Sequence, residues 1–286
     1  TDDAGVHNVL EKDYKIDSMP KTREGVDLAL ADVTRHPVRE YLRSLIWDGE
    51  KRCETLFIDY LGAEDSRYTR TVTRKALIGA AARILSPGCK HDHMLVLIGP
   101  QGCRKSTTLK KLGKEWFSDS LYTMSGKDAY EQLQGFWIIE LSEMAATRKA
   151  EVEQIKQFVS KQEDSYRAAY ARRTQCHPRQ CAFFGTTNDE EFLRDPTGAR
   201  RFWPVVVTDA GKTLGDKLTA SIVDQIWAEA VTYYEAGETW YLDGAVEEMA
   251  RKVQADHTEA NGKLGLIENF LEVLLPEGWD DWDLEK

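Results

Sequence analysis

The chain has 286 residues, a formal net charge of −10 and 42% apolar residues, enough for a sizeable buried core in one large or two modest domains. No apolar run approaches the ~20 residues that span a bilayer, and the opening TDDAGVHN lacks the basic start and apolar stretch of a signal peptide. The acidic total argues against nucleic acid only until it is divided: Asp209 to Lys286 holds 18 acidic and 6 basic residues, and the preceding 208 hold 30 and 32.

Residues 1–24 are polar, with Pro20 and Gly25 near their end, and are expected to be a flexible lead-in. The absence of an initiator Met suggests a piece of a longer protein. A helical region is expected over 25–90. Pro37 suits the first helical position, followed by an apolar stripe of Val38, Tyr41, Leu42, Leu45 and Ile46. A second stripe, Leu56, Phe57, Tyr60 and Leu61, stops at Gly62. A third runs from about Asp65 to Leu85 and is closed by Pro87-Gly88. Cys89, His91 and His93 are potential metal ligands, but no second cluster completes a site, so a loop leading into a strand is expected. The five cysteines form no CxxC pair and suit a reducing cytosol.

The pattern changes at Met94–Ile98, a short continuous apolar run of the kind found in buried parallel strands. Similar runs recur at Phe136–Leu141, Ala182–Phe184 and Phe202–Val207, with a helical stretch at Ala150–Ser160. Alternating strands and helices predict an α/β core with a largely parallel sheet over 91–208. The acidic region, 209–286, is expected to be helical at Leu218–Glu235, Ala245–His257 and Leu264–Leu275.

Gly99, Pro100, Gln101, Gly102, Cys103, Arg104, Lys105, Ser106 and Thr107 lie between the first strand and a helix starting at Lys105. In that context a glycine-containing turn makes a phosphate cradle: backbone N–H groups face phosphate oxygens, Lys105 reaches the β- and γ-phosphates, and Ser106 holds Mg²⁺. The pattern GxxxxGK[ST] asks for Gly where Arg104 stands. The loop is expected to keep its shape with Arg104 splayed away from or alongside the nucleotide, and with reduced affinity.

The strand Gly135–Leu141 carries Glu140 and is followed by Glu143. One acid there orders the Mg²⁺ shell and another polarises water. In an ideal strand the two face opposite sides, but a strand ending near Leu141 frees both. Glu143 is favoured as base and Glu140 as the metal-side acid. Asn188, after a third buried strand, could hold the attacking water or sense the γ-phosphate, although Thr-Asn is also ordinary turn chemistry. Arg200 and Arg201 precede the last strand and could serve phosphoryl transfer across a subunit boundary, or make surface ion pairs. Between Ser160 and Gln180, Lys161, Arg167, Arg172, Arg173 and Arg179 interleave with Tyr166 and Tyr170, either as a single-strand DNA contact or as a solvated hairpin.

The ordered motifs HPVREYL, WDGEKR, PGCKHDH, GPQGCRKST, EWFSDSL, LQGFWIIELSE, RQCAFFGTTN and DPTGARRFWPV resemble the virulence-associated protein E family. That family is similar to superfamily 3 helicases and to phage and plasmid primase–helicases. The resemblance runs from about His36 to Val207. It implies an additional-strand, AAA+-like P-loop NTPase core flanked by helical regions, encoded by a phage or mobile element and acting in the bacterial cytoplasm. It further implies ATP and Mg²⁺ as cofactors, and a ring homo-oligomer that grips single-stranded DNA with a basic hairpin matching Lys161–Thr174. A primase region or other replication proteins are the implied partners, with no membrane. Arg104 is the departure from the family pattern. It leaves a second reading open: a nucleotide- or DNA-binding module with little turnover, acting in regulation or interference. On either reading the acidic C-terminal region is expected to keep DNA off the outer surface.

Overall fold

The computed structural model describes residues 3–32, 35–142, 149–166, 174–190, 192–193 and 199–258. The chain divides into two compact units, residues 1–44 and 45–286.

In the first unit, α1 (Asp3–Tyr14), α2 (Met19–Asp32) and α3 (Pro37–Ser44) follow one another. The lead-in expected over 1–24 is therefore largely helical. Pro20 falls in the first turn of α2, where its missing N–H costs nothing, and Gly25 is tolerated inside the helix. The two helices are tied by His7 Nδ1 and Thr22 Oγ1, 3.0 Å apart. Pro37 does open α3, where the backbone N–H of Arg39 donates to His36 Nδ1.

The second unit begins with a turn rather than with the expected continuation of the Leu45–Ile46 stripe. Ile46 is 84% exposed, and its carbonyl accepts from the Gln225 amide. α4 (Leu56–Leu61) ends at Gly62 with φ 67°, the left-handed stop its sequence predicts. α5 (Arg67–Leu85) is capped by Ser66, whose hydroxyl accepts from the Thr69 N–H.

The chain then enters the sheet through β1 (Met94–Ile98), α6 (Lys105–Gly113), β2 (Phe117–Ser118), α7 (Asp128–Glu131), β3 (Ile138–Leu141) and α8 (Lys149–Val159). A hairpin of β4 (Glu163–Tyr166) and β5 (Gln175–Pro178) precedes β6 (Ala182–Thr187) and β7 (Phe202–Val206). α9 (Gly211–Leu214), α10 (Ala220–Glu235) and α11 (Gly244–Asp256) follow. The expected helix at Leu264–Leu275 lies outside the described residues.

The five strands form one parallel sheet in the order β2-β3-β6-β1-β7, so β6 is inserted between β1 and β3. Every residue of β1 and β6 is buried, as strands covered on both faces require. Met94, Val96 and Ile98 face a cluster that includes Ile155 and Phe158 of α8. On the other side α5 and α10 pack together, and the rings of Trp137 and Trp227 meet at 4.2 Å. Their indole N–H groups donate to Ala80 O and Leu112 O, so both tryptophans are buried without an unpaired donor. β7 is an edge strand, where Pro204 is tolerated.

Candidate functional site

The loop between β1 and α6 leaves the C-terminal end of a central strand, the end at which parallel α/β sheets place their ligands. Gly99 is fixed by close approach, since a Cβ there would stand 2.5 Å from Val207 O. Gly102 is left-handed at φ 84° and Arg104 again at φ 70°. Successive N–H groups in such right- and left-handed alternation form anion-binding concavities. Arg104 adopts the conformation that glycine favours, and its side chain leaves the loop. Its Cβ and Cγ lie over Gly215, and its Nη2 donates to Asp216 Oδ2 at 3.0 Å.

The floor of the loop is a bonded polar cluster. Lys105 Nζ donates to Gly99 O at 2.5 Å, Pro100 O at 3.1 Å and Asn188 Oδ1 at 2.8 Å. Ser106 Oγ and Thr186 Oγ1 both donate to Glu140 Oε1 at 2.6 Å. The other oxygen, Glu140 Oε2, is buried with no hydrogen-bond partner among the described residues. Two hydroxyls and a carboxylate with one open oxygen are hard oxygen donors, and they fit Mg²⁺. Above this floor lies an open cleft of about 550 Å³, lined by residues 101–107, Ser142, Thr186, Thr187, Asn188 and Lys212.

The parallel register therefore brings together Lys105, Ser106, Glu140 and Asn188 from three different elements. Thr186 and Lys212 join them. Thr186 was visible in sequence only as part of a polar strand end, and Lys212 carried no signal beyond its charge. Glu143 lies outside the described residues.

The other cations are elsewhere. Arg200 and Arg201 stand in a single 3-10 turn just before β7, whose first residue pairs with Met94, the first residue of β1. They are thus at the N-terminal edge of the sheet, opposite the loop. Arg200 is exposed, and Arg201 Nε donates to Ser160 Oγ at 2.8 Å. The hairpin leaves from the same edge, because β5 runs directly into the start of β6. Its base is held by Arg179 and Asp164, a buried ion pair at 2.5 Å, with the Arg179 guanidinium over the rings of Phe158 and Phe183. Arg179, counted among the outward-facing cations from sequence, is therefore structural. Lys161 Nζ is bonded to Tyr130 Oη at 2.5 Å and lies over the same ring. Arg167, Tyr170, Arg172 and Arg173 lie outside the described residues.

His91 and His93 flank the same edge. His91 is buried against Gly79, and the His93 ring stacks on Trp203 at 4.4 Å. With Cys89 they do not gather into a group able to hold a metal ion among the described residues. Burial pushes the His91 imidazole well below its ordinary value, and the charges of Arg83 and His93 act in the same direction.

These features define a parallel α/β protein with a loop–helix cradle at one sheet edge and a hairpin and arginine pair at the other. Residues 42–259 match the model of the virulence-associated protein E-like domain, and the chain belongs to that family. No curated protein sequence matches it. Among solved structures it is similar to the apo C-terminal region of NrS-1, at 16% identity and a TM-score of 0.45, covering 82% of this chain and 55% of that one. A second form of the same region gives 16% identity, a TM-score of 0.45, and 81% and 54% coverage. The chain thus spans about half the length of the solved structures it matches. No helix among the described residues is long and apolar enough to cross a membrane.

Proposed function

We propose that the chain is a P-loop ATPase of a phage or mobile-element replication system, acting on single-stranded DNA as an oligomer. The observation that carries this reading is the convergence of Lys105, Ser106, Glu140 and Asn188 on one open cleft at the N-terminus of α6.

A triphosphate entering the cleft meets the N–H groups of the loop and of the first turn of α6. Lys105 exchanges the Gly99 and Pro100 carbonyls for the β- and γ-phosphate oxygens, and its release frees Asn188, whose Oδ1 can accept from a water and whose Nδ2 can donate to the γ-phosphate. Ser106 and Glu140 would hold Mg²⁺, which neutralises charge on the transferred phosphoryl group. Glu143 takes the proton of the attacking water. Arg200 and Arg201 cannot serve this cleft within one chain: β7, at ~3.3 Å per residue, puts roughly 15 Å between them and the loop edge. On this reading they serve the cleft of a neighbouring copy. Arg167, Tyr170, Arg172 and Arg173, in the segment of chain between β4 and β5, grip DNA phosphates and bases on this reading.

Phosphate release with and without single-stranded DNA, in the wild type and in Lys105→Ala, tests the reading. DNA-stimulated release that is lost in Lys105→Ala is expected; equal release by the two proteins would sink it. A second reading is favoured by one observation, Arg104 at a left-handed position that glycine fills at lower cost: nucleotide binding with little turnover, used in regulation or interference. Nucleotide or DNA binding with flat phosphate release under every DNA condition is its signature.

A further inference from the structure

The cleft has a second wall that sequence motifs do not mark. After β7 the chain turns into α9, and its first residue, Gly211, is seated directly on the phosphate loop. A Cβ on Gly211 would stand 2.4 Å from Cys103 O. The next residue, Lys212, is thereby delivered to the cleft and lines it together with Lys105. Its Cε lies 3.9 Å from where a Cβ of Gly102 would stand, and apart from the chain neighbours no other atom of the described residues lies within 4 Å of that point. The end of the Lys212 side chain therefore lies beside the left-handed tip of the loop, with its ammonium turned to Asp209. It is paired with Asp209 Oδ1 at 2.9 Å, but the two side chains are 52% and 63% exposed. An exposed pair of this kind is weak and exchanges readily.

We infer that Lys212 is a second cation for the phosphate chain of a nucleoside di- or triphosphate, leaving Asp209 when the ligand arrives. The inference rests on the nucleotide reading of the cleft. Lys105 and the loop N–H groups meet the phosphates from the floor, and Lys212 meets them from the outer lip, across Gly102. Lys212 has no hydrogen bond to Glu140 or Asn188, and the role assigned to it is to hold the phosphates. It raises affinity and leaves the chemical step alone.

The test is titration of a fluorescent, non-hydrolysable ATP analogue and of ADP into the full chain, at two salt concentrations. Wild type, Lys105→Ala, Lys212→Ala, Lys212→Arg and Asp209→Asn are compared, with thermal unfolding of each. Lys212→Ala is expected to weaken both ligands about tenfold, the size of one charge-assisted contact, with a shallower salt dependence and an unchanged unfolding temperature. Lys212→Arg keeps most of the affinity, and Asp209→Asn binds as tightly as wild type or more so. Wild-type affinity in Lys212→Ala, with binding lost in Lys105→Ala, would overturn the inference and leave the nucleotide reading standing. Equal losses in Asp209→Asn and Lys212→Ala would show that the pair is only structural. No binding by the wild type would overturn both.

Discussion

The two edges of the sheet are built on opposite principles. At the C-terminal edge the polar groups are already bonded to one another around a buried Lys105, Glu140 and Thr186: Lys105 to Asn188 and two carbonyls, Ser106 and Thr186 to one oxygen of Glu140. At the N-terminal edge the buried ions serve as foundations, as Arg179 and Asp164 do under the hairpin, while Arg200 stands exposed. One edge holds a cleft whose groups are bonded to one another; the other presents an exposed arginine beside a hairpin. On the function proposed above, the difference teaches where a second copy would be needed: the cleft of one chain would be completed by the arginine edge of the next.

Mixing two inactive variants breaks or sharpens this comparison most strongly. Arg200→Ala is expected to lower DNA-stimulated phosphate release by about a thousandfold, the scale of an arginine supplied across an interface, and Lys105→Ala to abolish it. A mixture should recover part of the activity, because an Arg200→Ala cleft can take Arg200 from a Lys105→Ala neighbour. Two dead variants that stay dead on mixing, while each still assembles, would mean that the edges do not meet in one site.

The foundation of the second edge can be removed without touching the first. Asp164→Asn leaves the Arg179 guanidinium buried without its carboxylate, a change that costs ~3–5 kcal/mol. Denaturant unfolding should show that loss. Replacing both residues by apolar side chains of similar volume should restore most of it. A single-variant loss below about 1 kcal/mol would show that the hairpin base is held by the aromatic contacts of Arg179 instead.

A smaller effect comes from His91. Burial depresses its folded-state pKa below the ordinary 6.5, and the Arg83 guanidinium and His93 add to the shift. The unfolded chain therefore takes up a proton first as the pH falls. The contribution of His91 is fully present above about pH 6.5 and is lost below it, by about 1.4 kcal/mol per pH unit until the folded-state pKa is reached. Unfolding free energies measured from neutral pH down to about pH 5 should fall more steeply in the wild type than in His91→Gln. Matching slopes would remove His91 as the cause.

What could be read from sequence divides along the same line as the two edges. The Met94–Ile98 run and the helix start at Lys105 were legible because a strand buried on both faces is continuously apolar and because phosphate loops constrain residue type. The strands of the hairpin, EDSY and QCHP, are polar and short, and β2 has two residues, so neither offers a period to detect. The burial of Arg179 was hidden because its partner Asp164 lies 15 positions away and the pair forms only when the hairpin closes. Thr186 and Lys212 became site residues only through register and through Gly211 packing on the loop, which are tertiary facts.

The smallest expected effect concerns Arg104, where motif and geometry part. A left-handed position costs a non-glycine residue about 1–2 kcal/mol. Glycine would remove that strain, but it brings ~0.5–1 kcal/mol of extra unfolded-state entropy. It would also forfeit the exposed Asp216 pair, worth ~0–1 kcal/mol, and the packing of the Arg104 stem on Gly215. These contributions nearly cancel, so Arg104→Gly should change stability by less than about 1 kcal/mol. Arg104→Ala keeps the strain and loses both compensations, so it should be the least stable of the three. Chemical denaturation of the three proteins checks that order. An alanine variant as stable as the wild type would mean that residue 104 leaves the left-handed region once the Asp216 latch is gone. The loop would then owe its shape to the second unit's 209–216 segment rather than to its own backbone.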